Sequence, residues 1–224
     1  MLAAMATWDA AAGVWVGERA AGTLEVPDPL WIFGYGSLCW KSDFPFEASF
    51  VGSVQGWGRF FAQRSTDHRG TPEFPGLVAT LLKDEQLRAL SLKTAGSPAS
   101  RTVGVCYRVG KQDAETVLDA LDFREKGGYT REIIEVYPQG SPGTAGNDEH
   151  VQPVRALLYS ATPDNPGFDP KALSDLPSAA ATIGSAHGPS GPNREYLERL
   201  ALWLKEVDEP DEHIEALVGL LSAP

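Results

Sequence analysis

Residues 103–127 read VGVCYRVGKQDAETVLDALDFREKG, and the pattern changes character halfway along. Val103 to Val109 is a run of β-branched and aromatic residues that suits a pleated strand. From Asp113 to Lys126 the apolar residues Ala114, Val117, Leu118 and Leu121 recur at helical spacing, and Gly127 is available as a C-terminal cap. One further turn along this stripe lies Glu125, on the face that its neighbours commit to the core. A carboxyl group held there loses hydration, which raises its pKa and makes it a general base or acid near neutral pH. The other reading has the last turn fray, with Glu125 paired to Arg124 or Lys126 in solvent.

Working outward, short β-type runs surround this helix: Trp31-Ile32-Phe33, Phe50 to Val54, Trp57 to Phe61, Leu77 to Leu82, Leu87 to Leu92, Ile133 to Tyr137 and Val154 to Ser160. Most are bounded by Gly, Pro, Ser or Asp. Near the C-terminus, Asn193 serves as an expected N-cap for an amphipathic helix with Tyr196, Leu197, Leu200, Trp203, Leu204 and Val207 on one face. Pro210 ends it, and Asp211 caps a second helix carrying Ile214, Leu217, Val218 and Leu221. Strands, one helix among them and helices at the end predict an α+β domain built on a strongly curved sheet or barrel.

Residues 1–30 are rich in Ala and Gly and end in Pro27-Asp28-Pro29, so they read as a loosely ordered extension, with structure expected from Leu30. Residues 31–221 then form a single domain. Thr94 to Ser100 and Gln139 to Glu149 are built from loop-forming residues and read as surface insertions.

The chain has 224 residues, 42% of them hydrophobic, enough for one packed core. Its 19 Lys and Arg against 30 Asp and Glu give a net charge of −11, which repels a phosphate backbone or an anionic lipid surface and argues against a nucleic-acid partner. No apolar stretch reaches the ~18 residues of a membrane span. The first thirty residues contain Asp9, Glu18, Glu25 and Asp28, which suits neither a secretory signal nor a transit peptide. Two cysteines, Cys39 and Cys106, form no disulfide framework, so the expected location is cytoplasmic.

Three further segments can carry chemistry. In Phe33-Gly34-Tyr35-Gly36-Ser37-Leu38, a β run breaks into a glycine turn; Gly34 and Gly36 allow close backbone approach and positive φ, so successive N–H groups can converge on an anion. It lacks the third glycine of a dinucleotide fingerprint and the frame of a nucleophile elbow; it also reads as a plain turn. Arg64 to Gly70 (RSTDHRG) reads as a hydrogen-bonded turn, or, with Ser37, His68 and an Asp, as a hydrolytic triad. Tyr196, just inside the first C-terminal helix, is either core packing or a hydroxyl offered to a ligand. His68, His150, His187 and His213 have no metal-ligand spacing, so no metal site is expected.

Taken in order, Phe33 to Leu38, Trp40-Lys41-x-Asp43-Phe44-Pro45, Ser65 to Gly70, Leu121 to Tyr129, Asp164-Asn165-Pro166 and Gly188 to Gly191 with Asn193 and Glu195-Tyr196-Leu197 form one series. That series strongly resembles the ChaC-type, glutathione-specific γ-glutamylcyclotransferases over roughly residues 31 to 217. The resemblance implies a small mixed α/β barrel of the γ-glutamylcyclotransferase-like type with flanking helices. It also implies conversion of glutathione to 5-oxoproline and cysteinylglycine, without metal or cofactor. By motif it carries the catalytic role to Glu125, the substrate-binding loop to Gly34, Tyr35, Gly36, Ser37, Leu38 and Cys39, and a place near the ligand to Tyr196. This chain departs from the family at Cys39, where relatives have an apolar residue, and at Glu115-Thr116, where some relatives have a helper glutamate.

The residue types suit that chemistry. The α-amine of a γ-glutamyl amide can attack its own γ-carbonyl, so the enzyme supplies a base, an oxyanion site and a bent substrate rather than a nucleophile. Two other functions fit the same residues: cyclotransfer on other γ-glutamyl amines or amino acids, and binding of a small carboxylate without turnover.

Overall fold

A computed structural model describes residues 7–9, 11, 14–16, 26–93, 99–125, 127–139 and 152–222. In chain order, β1 (Thr7–Asp9) and β2 (Val14–Val16) pair with each other as a two-stranded antiparallel ribbon, ahead of the expected start of structure at Leu30. There follow β3 (Trp31–Gly34), β4 (Ala48–Gln55), β5 (Trp57–Ser65), β6 (Gly76–Lys83), α1 (Asp84–Ala89), β7 (Arg101–Arg108), α2 (Ala114–Arg124), β8 (Thr130–Pro138) and β9 (Val154–Ser160). The C-terminal part holds α3 (Lys171–Ser174), α4 (Leu176–Ser185), the two-residue strands β10 (His187–Gly188) and β11 (Gly191–Pro192), α5 (Asn193–Glu206) and α6 (Glu212–Ser222).

Five strands close into a barrel in the order β3-β7-β4-β8-β9, with β9 returning parallel to β3 through Leu157 and Ile32. The other barrel pairings are antiparallel. β5 and β6 form a separate antiparallel ribbon whose register slips at Ala62, the extra residue of a bulge. The main core runs through barrel, ribbon and C-terminal helices, with Ile32, Phe61, Leu81, Leu157, Ile183, Leu197 and Leu200 fully enclosed, and a smaller cluster of Ala62, Leu82, Leu87 and Phe168 packs α1 against the ribbon. The expected α+β barrel with flanking helices is the observed architecture.

α5 uses the face read from the sequence: Tyr196, Leu197, Leu200, Trp203 and Leu204 are buried. α6 is capped as expected, Asp211 Oδ1 accepting from Ile214 N at 3.2 Å. Four expectations are corrected. Leu87 to Leu92 is not a strand; α1 forms there because Asp84 and Glu85 occupy the first turn and the Gln86 side chain accepts from Lys83 N at 2.8 Å. Asn193 caps nothing: Pro192 holds the cap position, while the enclosed Asn193 amide accepts from Leu77 N and donates to Leu77 O, each at 2.7 Å. α2 stops at Arg124, with Glu125 as its C-cap, and the left-handed residue beyond it is Gly128 (φ 82°) rather than Gly127. Gly36 has φ −116°, and neither it nor Gly34 takes positive φ, so only the close-approach half of that reading holds.

Of the two expected insertions, residues 94–98 and 140–149 lie outside the described residues. Their described ends are anchored: Ser100 N donates to Asp84 Oδ2 at 3.1 Å, and Gln139 Nε2 to Glu209 Oε1 at 2.8 Å.

Candidate active site

The barrel's first strand ends in the glycine turn. Residues 37–39 make one turn of 3-10 helix, closed by Cys39 N donating to Gly36 O at 2.9 Å and Trp40 N to Ser37 O at 3.2 Å. The first N–H groups of such a turn have no acceptor within it. A Cβ at residue 34 would collide with Leu38 Cβ, so only glycine permits the chain to fold back this tightly. The Tyr107 hydroxyl donates to Leu38 O at 2.6 Å and the Tyr35 hydroxyl to Tyr159 O at 2.9 Å, tying the turn to β7 and β9.

A cavity of about 440 Å³, within the usual range for small-molecule sites, opens over this turn. Gly34, Tyr35, Gly36, Ser37 and Leu38 line it, together with Gln63 to Arg69, Arg124, Glu125, Gly127, Tyr129, Tyr159, Ser190 and Tyr196. Every predicted site residue but one therefore meets at this cavity. Cys39 is the exception: it is buried, its Sγ donates to Gly34 O at 3.5 Å, and burial pushes its thiol up to about 12. Glu115 and Thr116 are exposed on α2, away from the cavity lining.

Both readings of Glu125 hold in part. It does pair with Arg124, Nε to Oε1 at 3.2 Å, yet its side chain is only 18% exposed and belongs to the cavity wall. Burial raises its pKa above the ordinary carboxylate value; Arg124 and His68 pull it down, and Asp67 adds to the rise. The direction is the one a proton-transfer group needs at neutral pH.

The segment around Glu125 is braced from behind. Asp122 is buried; its Oδ1 accepts from the Tyr159 hydroxyl at 2.7 Å and its Oδ2 lies 3.5 Å from Arg131 Nη1. Asn165 Nδ2 donates to Gly127 O at 3.1 Å and Gly128 O at 2.8 Å, fixing the chain just past Glu125. Burial raises the pKa of Tyr35, Tyr129 and Tyr159, so all three are neutral hydroxyls at physiological pH.

Tyr196 is both core and cavity. Its ring packs edge-on against Trp40 and tilted against Phe61, each with centroids 5.5 Å apart, and Arg69 lies 5.6 Å over its face. Arg69 Nη1 is held by Pro192 O at 3.0 Å and Glu195 Oε2 at 3.3 Å.

The triad alternative is not assembled. Ser37 Oγ accepts from Arg124 Nη2 at 2.6 Å, whereas His68 Nδ1 faces Ser190 Oγ at 3.4 Å. Among the described residues no group of three or more His, Cys, Asp or Glu is placed to hold a metal ion, and no helix is long and apolar enough to cross a membrane.

Sequence reasoning assigned no role to Gln63, Asp122, Tyr129, Tyr159 or Asn165. Asp122 and Asn165 lie in the motif segments Leu121 to Tyr129 and Asp164 to Pro166, which marked them without a role, because Asn165 acts across 38 residues through backbone carbonyls.

Comparison with known proteins gives the same answer from a different direction. A family model described as ChaC-like protein matches residues 30–223. The chain is 41% identical over 201 residues to glutathione-specific γ-glutamylcyclotransferase 1 of Rattus norvegicus, covering 88% of this chain and 80% of that protein. It is 36% identical to γ-glutamylcyclotransferase 2-3 of Arabidopsis thaliana, covering 85% and 87%. The crystal structure of a selenomethionine-labelled, glutathione-specific γ-glutamyl cyclotransferase from yeast superposes with a TM-score of 0.73 at 29% identity, covering 86% of this chain and 95% of that one. With a matching family model over nearly its whole length and this barrel beneath it, the chain belongs to the ChaC-like family.

Proposed function

We propose that this protein is a glutathione-specific γ-glutamylcyclotransferase that releases 5-oxoproline and cysteinylglycine. The observation that carries the proposal is a half-dry carboxyl group, Glu125, sharing one cavity with the glycine turn at 34–38. Relatives 40–41% identical to this chain bear the name of that activity.

In the proposed reaction the substrate's α-ammonium gives a proton to Glu125 as its nitrogen attacks the γ-carbonyl carbon. A C–N bond forms and closes the five-membered lactam. The γ-amide C–N bond breaks, and Glu125 returns the proton to the departing amine of cysteinylglycine. Glu125 then takes a second proton from the ring nitrogen and passes it to the same amine, so the lactam keeps one N–H, cysteinylglycine leaves as an ammonium, and atoms and charge balance without water, metal or cofactor. Backbone N–H groups of the turn hold the substrate carboxylate or the developing oxyanion, and Tyr196 packs over the same turn. Lys41, Arg64, Arg69 and Arg124 line the cavity beside Asp43, Asp67 and Glu125, so the lining is close to charge-balanced in a chain whose net charge is −11 and opposes a substrate with two carboxylates less than the rest of the surface does. The proposed place of action is the cytosol, in keeping with free, buried Cys39 and Cys106.

The test is incubation of the purified protein with glutathione, following both products by mass spectrometry. Equal amounts of 5-oxoproline and cysteinylglycine are expected, with much slower release from γ-glutamyl amines. Absence of 5-oxoproline, or equal use of both substrate classes, counts against the assignment.

A further inference from the structure

Gln63 lies on β5 one residue past the Ala62 bulge, is 2% exposed, and forms part of the cavity wall. Its amide orientation is fixed by its neighbours. Asn165 Nδ2 is committed to the carbonyls of Gly127 and Gly128, and Asn165 Oδ1 accepts from Gly167 N at 2.7 Å. Only the nitrogen of Gln63 can face that oxygen, and Nε2 donates to it at 3.3 Å. The carbonyl oxygen of Gln63 is then left buried with no hydrogen-bond partner. An enclosed acceptor without a donor is unfavourable, and a ligand that brings an N–H to it removes the penalty.

Gln63 and Glu125 line the same cavity, and the hydrogen-bonded sequence Gln63, Asn165, Gly127 ties the Gln63 amide to the segment just after Glu125. A γ-glutamyl head group seated there presents an α-ammonium with three N–H donors, one of which Glu125 takes. We infer that the Gln63 carbonyl oxygen accepts a second N–H of the substrate's α-ammonium and selects for γ-glutamyl compounds that carry a free α-amine. A neutral oxygen does this without competing for the proton, and it holds the nitrogen in place as it becomes a nucleophile. This inference rests on the function proposed above.

The experiment compares glutathione with glutaryl-cysteinylglycine, which lacks only the α-amine and cannot cyclise. In wild type, glutathione is turned over and the glutaryl compound inhibits competitively. Gln63→Met, similar in length and volume, is expected to raise KM for glutathione about ten- to a hundredfold, the range for a hydrogen bond to a charged group. The inhibition constant of the glutaryl compound should move less than about twofold. Gln63→Asn, which keeps an amide but withdraws its oxygen by one methylene, should show the same selective loss for glutathione, and it serves as the test if the Met variant does not fold. Equal loss for both ligands, or no loss for either, in the variant that folds overturns the inference. Failure of wild type to turn over glutathione would instead overturn the proposed function.

Discussion

The hydroxyl of Tyr196 occupies the space that a side chain at residue 36 would need: a Cβ there would lie 2.5 Å from that oxygen. A helix residue and a barrel turn far apart in sequence are thereby fitted to each other. Because Trp40, Phe61 and Arg69 surround the Tyr196 ring, it cannot swing aside freely. Gly36→Ala is expected to cost about 1–3 kcal/mol, as overpacking does, and to lower kcat/KM. Tyr196→Phe removes the oxygen, so the added cost of Gly36→Ala should be smaller in that background. Denaturant titration of the four proteins checks it; strictly additive costs would contradict the fit.

Asn193 has a structural task. Removing its amide strands both the N–H and the carbonyl of Leu77 in an enclosed place. Asn193→Ala should destabilise the protein by about 3 kcal/mol, two buried groups losing their partner. Chemical denaturation reads this directly, and a loss below ~1 kcal/mol would mean that water replaces the side chain.

Glu125 sets function against stability. Its pKa is raised in the folded protein, so folding favours the protonated form. That contribution is fully present below the unfolded value of about 4.3 and is lost as pH rises through the folded value. Glu125→Gln has no proton to lose, so its Tm relative to wild type should climb as pH increases from 4 to 8. A flat or falling difference would show that Arg124 outweighs burial.

His213 gives the opposite slope. Its Nε2 accepts from Phe61 N at 2.9 Å, fastening α6 to β5, and burial lowers its pKa to about 4 against a weaker upward pull from Asp211. Folding therefore favours neutral imidazole: the stabilisation is present above about 6.5 and fades as pH falls toward 4. The loss is on the order of 2 kcal/mol after allowance for partial exposure. His213→Gln should remove this part of the pH dependence between 6.5 and 4, as measured by urea unfolding at each pH; an unchanged slope would contradict it.

The barrel strands, α5, α6 and the position of Glu125 were legible because each depends on local periodicity. Leu87 to Leu92 misled for the same reason: its apolar content suits a strand, but only Leu87 is buried within α1, and the charged first turn decides the outcome. At the site, motif order brought Gly34 to Leu38, Glu125 and Tyr196 together, which no single spacing did. Cys39 followed the motif but turns inward from it. Gln63 went unmarked, and Asp122 and Asn165 were marked by motif but without a role, because all three act through partners 37 to 102 residues away.

The most direct measurement of the central claim is 5-oxoproline release from glutathione by Glu125→Gln beside wild type, with matching folded spectra. Loss of at least ~10²-fold in kcat, the lower range for a missing general base, is the expected result. A folded variant that releases 5-oxoproline at close to the wild-type rate would contradict the account.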